Sequence, residues 1–121
     1  MTAVEWVAVA VIGGSASTVR FVVDRRIASR VRTSLPVGTL TVNINGSLAL
    51  GVLSGLTVGS TVSLLAGTAA VGSYTTFSTW MLETQRLSEE CQHGVAVVNL
   101  AVSVVLGLGA AALGLVIGAN L

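Results

Sequence analysis

The chain has 121 residues, 53% of them hydrophobic and 9% charged, with a mean hydropathy of +0.90. Its six basic residues are all arginine, set against five acids for a net charge of +1; so sparse a basic set excludes electrostatic nucleic-acid binding, which takes a dense basic patch. The hydrophobicity excludes a disordered chain, and a charge content far below the ~25% of soluble domains points to lipid as the main solvent.

Four stretches reach the roughly 20 apolar residues that a spanning helix needs: residues 3–23, 37–58, 62–82 and 94–119. They make one all-α membrane domain, residues 1–121, with an Arg-rich loop at 24–36, a tight hairpin at 59–61 and a last loop at 83–93. The N-terminal MTAVEW carries an acid and no basic region, so no cleavable signal is expected. Arg25, Arg26, Arg30, Arg32 and Arg86 all fall on one side of this layout, and the opposite side holds no basic residue. The positive-inside rule then puts the first and third loops in the cytoplasm and both termini outside. Arg20 lies within the first span.

The second span carries Thr39, Thr41, Asn43, Asn45 and Ser47 alternating with apolar residues, all neutral hydrogen-bonding groups. Asn43 and Asn45 cannot share a helix face, so one meets a pathway or partner while the other packs near Gly46. Gly51, Gly55 and Gly59 in this span, with Gly114 and Gly118 in the fourth, form small-residue faces for close helix packing.

The third span differs in kind. Its centre, GSYTTFSTW at 72–80, sets Ser73, Thr75, Thr76, Ser78 and Thr79 beside Gly72 at mid-membrane. Two readings fit: a helix broken at the midplane, with its backbone open to ions, or a continuous polar face bonded to neighbouring helices. Three of the five aromatics, Tyr74, Phe77 and Trp80, fall in this window. A ring edge suits a small anion and a ring face a cation, and the sequence alone fixes neither. Asn99 and Ser103 in the fourth span and Ser17 in the first add further neutral donors.

No Asp, Glu, Lys or His lies deep within a span; Glu5 and Glu83 sit near span ends. Proton-coupled pumps and cationic-drug exporters rely on a buried carboxylate, so the interior favours an anion and passive conduction. A small multidrug exporter of the same size would need that carboxylate inside the first span, where Glu5 lies too close to the end. Arg20 has three equal roles open to it: attracting anions at a vestibule, snorkelling to the interface, or bonding carbonyls at a helix end. Cys91 and His93 are too few ligands for a zinc site, and no catalytic set is present, so the chain is not expected to be an enzyme.

These residues resemble the Fluc (CrcB) family of fluoride channels. The resemblance runs through GGSASTVRF at 13–21, GTLTVNINGS at 38–47 and GSYTTFSTW at 72–80, in order and at the right separation. It implies four-helix subunits with a broken third helix, paired as an antiparallel dimer with two fluoride pores, in the bacterial plasma (inner) membrane. It assigns Asn43, Phe77 and Ser78 to the pore and Arg20 to a vestibule or structural role. It also implies a structural sodium ion at the dimer interface, held by backbone carbonyls of Gly72 and Thr75. Trp80 stands where the family has a second Phe and Asn99 where it has a Tyr, while Ser103 is kept. All three belong to the expected pore lining.

The expected function is passive fluoride export that relieves fluoride toxicity. The second reading is a conduction-poor subunit that supports a partner's pores. A one-sided arginine bias implies one fixed orientation, so the antiparallel partner favoured is a homologous subunit of opposite bias; a homodimer also fits.

Overall fold

The computed structural model describes all 121 residues, and every regular element in it is a helix. Helix α1 spans Ala3–Arg30. Thr2 caps it: its Oγ1 accepts from the Glu5 N–H at 3.2 Å, and Glu5 Oε2 accepts from the Thr2 N–H at 2.9 Å. This capping box satisfies two of the orphan amides of the first turn. Thr61 donates to the other Glu5 oxygen at 3.4 Å, so this carboxylate is held at the helix end.

The expected loop at 24–36 is therefore helical through Arg30, and α1, with 28 residues, is about 42 Å long. That exceeds the ~30 Å hydrocarbon core. Apolarity alone ends the span at Val23, but Arg, Ile and Ala are compatible with helix and continue it to Arg30. Pro36, which no helix can run through, precedes α2 at Val37–Leu56.

Helix α2 ends at Thr57, a β-branched residue in the left-handed region with φ 51°. The next segment, α3 at 60–74, begins and ends with a single α-turn and is wound as a π-helix over Ser63–Val71. It stops at Tyr74, and α4 resumes at Ser78–Glu89. Cys91, φ 61°, turns the chain by the left-handed cap geometry, with the Gln92 N–H bonded to the Leu87 carbonyl at 2.8 Å. Helix α5, His93–Ala119, completes the chain. The expected last loop at 83–93 is thus mostly the end of α4.

Helices α1, α2 and α5 are each long and apolar enough to cross a membrane. The third apolar stretch is instead two shorter helices with Thr75, Thr76 and Phe77 between them. Its hydroxyls and β-branched residues weaken a helix, and here the chain leaves it.

The main packing pair is α2 against α5, with α1 lying on α2 and α3, and α4 on α5. The expected small-residue faces are what join the pair. A Cβ at Gly51 would strike the Ala111 carbonyl, one at Gly114 the Leu48 carbonyl, and one at Gly118 the Val52 carbonyl. Gly55 meets the backbone at Leu115 to Ala119 in the same way, whereas Gly59 faces open space. Close backbone approach replaces a large side-chain core. Only Val42, Ala69, Leu87 and Ala96 are buried apolar residues, while the valines and leucines of α1 and α5 point outward. A soluble monomer does not carry so continuous an apolar surface; lipid suits it.

Candidate functional site: the break and its cavities

The break is held by Asn43, one and a half turns into α2. Its Nδ2 donates to the Thr76 carbonyl and its Oδ1 accepts from the Thr76 N–H, both at 2.8 Å. Both backbone groups of Thr76, the middle residue of the break, are thereby satisfied, as peptide groups taken from water require. Asn43 keeps one free N–H. The Thr76 hydroxyl accepts from the Thr79 N–H at 3.2 Å, so Thr76 also caps the start of α4. Gly46 makes the approach possible, since a Cβ there would collide with the Thr75 methyl.

On the other side of the break, α3 ends with its last carbonyls unpaired by the helix. The Thr75 N–H and hydroxyl both donate to the Val71 carbonyl, at 3.0 and 3.1 Å. The Ser73 carbonyl accepts from Ser17 Oγ at 3.4 Å. In a continuing helix the Thr76 N–H would bond the Gly72 carbonyl, but it is engaged by Asn43, which leaves the Gly72 carbonyl free. Gly72 is exposed, and Thr75 is half-buried in extended backbone, φ −80°, ψ 161°.

Three cavities adjoin one another around this break. The central one, about 210 Å³, is lined by Asn43, Gly46, Ser47, Leu50, Val71, Thr75, Thr76, Phe77 and Trp80. It shares Thr76 with a second cavity of about 290 Å³, lined by Arg20, Phe21, Asp24, Thr39, Val42 and Thr79 as well. It shares Asn43, Ser47 and Trp80 with a third, about 310 Å³, which reaches Ser103, Val104 and Gly107. Arg20 Nε and Ser103 Oγ are buried polar atoms without a protein partner, and both residues line these spaces, while the buried Thr39 Oγ1 lies beside the Glu83 carboxyl, whose Oε1 is also buried. The Arg20 and Ser103 atoms are donors held ready for a ligand or water. Asp24 is the only acid on the three walls.

Phe77 is 68% exposed and meets Trp80 edge to face, with centroids 5.6 Å apart and planes at 85°. Ser78 lies on the exposed side of the break, its Oγ 3.4 Å from Thr76 Oγ1, and lines none of the three cavities. Asn99 is buried at 1% exposure behind Trp80. Its Nδ2 donates to Thr84 Oγ1 at 2.8 Å, and its main-chain carbonyl accepts from the Trp80 indole N–H at 3.4 Å.

Of the residues marked by sequence, the fold brings Asn43, Phe77, Trp80 and Ser103 around adjoining cavities and sets Arg20 at one end. Asn45 is exposed, away from the pathway side. Two roles escaped the sequence reading. Thr76 is the pivot of the break, and Thr84 is the link between Trp80 and Asn99. The second had a signal in its i+4 spacing from Trp80; the first had none, because any of the five hydroxyls in the window could have filled the place.

Residues 7–115 match the family described as CrcB-like protein, Camphor Resistance (CrcB). The chain is 56% identical over 114 residues to the fluoride-specific ion channel FluC 2 of Mycobacterium tuberculosis (strain ATCC 25618 / H37Rv), covering 94% of this chain and 90% of that protein. It is 41% identical over 120 residues to the fluoride-specific ion channel FluC 1 of Symbiobacterium thermophilum, covering 94% and 97%. To FluC 1 of Leifsonia xyli subsp. xyli it is 38% identical over 122 residues, covering 98% and 89%.

Proposed function

The chain belongs to the CrcB-like family, and on that premise we propose that it is a subunit of a passive, fluoride-selective channel of the bacterial plasma membrane. One observation carries this reading beyond the family. Three adjoining cavities run past the helix break, and between Arg20 and Asp24 at one end and Ser103 at the other their walls hold only neutral groups. The free Asn43 N–H, the Ser47 hydroxyl and the rings of Phe77 and Trp80 suit a small, strongly hydrogen-bonding anion. Asp24, at one end, is the only carboxylate on these walls, so no proton carrier lies along them and transport is passive. An inside-negative potential then drives fluoride outward, by about 2.3 kcal/mol per 100 mV.

The polar break supports pairing with a second subunit. Phe77, Ser78, Gly72 and Asn45 are exposed on a chain otherwise clad in valine and leucine, and non-helical backbone at membrane depth must be covered by protein or water. In this reading two subunits, each with four spans and a broken third helix, meet antiparallel. The freed Gly72 carbonyl and the Thr75 carbonyl beside it fit a hard, oxygen-seeking cation. They would hold a structural sodium ion at the interface, where it would tie the two broken helices together. The arginine bias gives this subunit one orientation, termini outside, and a homologous companion the other. Relatives numbered FluC 1 and FluC 2 fit such a pair of genes.

A second reading, a conduction-poor subunit that supports its partner's pores, is favoured by the bulky Trp80 indole, which lines two of the cavities where they meet. Liposomes loaded with fluoride and carrying this chain, alone or with its companion, decide between the two. Fluoride efflux abolished by replacing Asn43 or Phe77 supports a conducting subunit; efflux unchanged by both replacements supports the structural one. No efflux in any pairing overturns the channel reading.

A further inference from the structure

Trp80, with Asn43 and Ser47, lines both the central cavity and the one that continues to Ser103, so its indole is part of the wall where they meet. That wall is tied from behind. The indole N–H donates to the main-chain carbonyl of Asn99 at 3.4 Å, and the Thr84 hydroxyl donates to the main-chain carbonyl of Trp80 at 2.8 Å. The same hydroxyl accepts from Asn99 Nδ2 at 2.8 Å, which closes a loop of three residues across α4 and α5. Thr84 has one O–H to donate and lone pairs to accept with, and both functions are in use. Asn99 is almost wholly buried, so its amide has no water to turn to if this bond breaks.

We infer that Trp80 is a latched partition between the two cavities, with Asn99 and Thr84 as positioning residues that hold the indole across the passage and set the rate of anion transfer. The inference rests on the channel reading above. Because the indole N–H faces Asn99, the ring offers the passing anion its carbon edge and not a hydrogen-bond donor. The buried, unpartnered Ser103 Oγ is a donor in the cavity beyond the wall. An anion therefore passes the carbon edge of the indole, with Asn43 and Ser47 as the donors common to both cavities, and is taken up beyond it at Ser103. A smaller ring without an N–H both widens the constriction and removes the latch.

The test compares fluoride efflux from liposomes holding the conducting assembly with Trp80→Phe, Thr84→Val, the pair together and Thr84→Ser. Trp80→Phe should speed efflux by about threefold or more, the scale of one net hydrogen bond. Thr84→Val should speed it in the same direction, the double variant should match Trp80→Phe alone, and Thr84→Ser, which keeps the hydroxyl, should match the parent. Rates that do not rise in Trp80→Phe, or effects that add in the double variant, overturn the latch. A second readout needs no flux: with Trp6 replaced by Phe, Trp80 is the sole indole. Its fluorescence anisotropy should fall on Thr84→Val, and an unchanged value overturns the latch. Should the parent conduct no fluoride in any pairing, the channel reading falls while the anisotropy still decides the latch.

Discussion

Thr76 has its N–H and its carbonyl bonded by one side chain, Asn43, and its hydroxyl bonded by the start of α4. A break in a membrane helix survives only where its backbone groups find such partners. Asn43→Ala leaves a part-buried N–H and carbonyl unmet, which should destabilise the fold by about 2–4 kcal/mol and cut fluoride efflux by roughly tenfold or more. Thermal unfolding in detergent micelles and electrode-monitored efflux read the two effects. Unaltered stability would mean that the break does not depend on the clamp. Two further residues sit in a backbone region that L side chains avoid. Thr57 and Cys91 have φ of 51° and 61°, so Thr57→Gly and Cys91→Gly should each raise stability by about 1 kcal/mol. A fall in the unfolding midpoint would contradict the strain assigned to these turns.

Among the elements, α2 and α5 touch backbone to backbone through Gly51, Gly55, Gly114 and Gly118. Gly114→Leu should push the helices apart and cost about 2–3 kcal/mol, whereas Gly109→Leu, where a Cβ meets nothing within 4 Å, should stay within about 0.5 kcal/mol. Equal effects at the two positions would mean that the glycine face is not the joint. This face was legible in the sequence because small residues every four positions repeat on one side of a helix. The break was legible as one of two readings, since the hydroxyl run fits a broken helix or a bonded polar face equally. The ends of α1 and α4 were not legible from apolarity, because that measures how much chain lipid covers and not how far the helix continues. Nor was the Trp80–Asn99–Thr84 loop. It joins residues on different helices, and their meeting depends on how α4 settles against α5.

Across the whole molecule, Arg25, Arg26, Arg30 and Arg32 cluster where α1 runs into the loop before α2, with Arg86 on α4 opposite. The only ion pair, Arg86 with Glu90 at 3.8 Å, is exposed and of little energetic weight. The remaining arginines are free to act as topological signals. Labelling of single cysteines placed at either terminus, in a Cys91-free background, should mark both termini outside in nearly every molecule. Equal labelling from both sides would contradict the fixed orientation and favour a dual-topology homodimer. The pairing itself is beyond a single sequence, since complementary bias in a companion is a property of two chains.

The most direct test of the account is a paired gradient measurement. Liposomes carrying this chain, alone or with a homologous companion, are loaded with fluoride or with chloride, and efflux is followed with an ion-selective electrode after the potential is released. The account predicts rapid loss of fluoride, retention of chloride and no dependence on a proton gradient. Retention of fluoride, or equal loss of both halides, would contradict it.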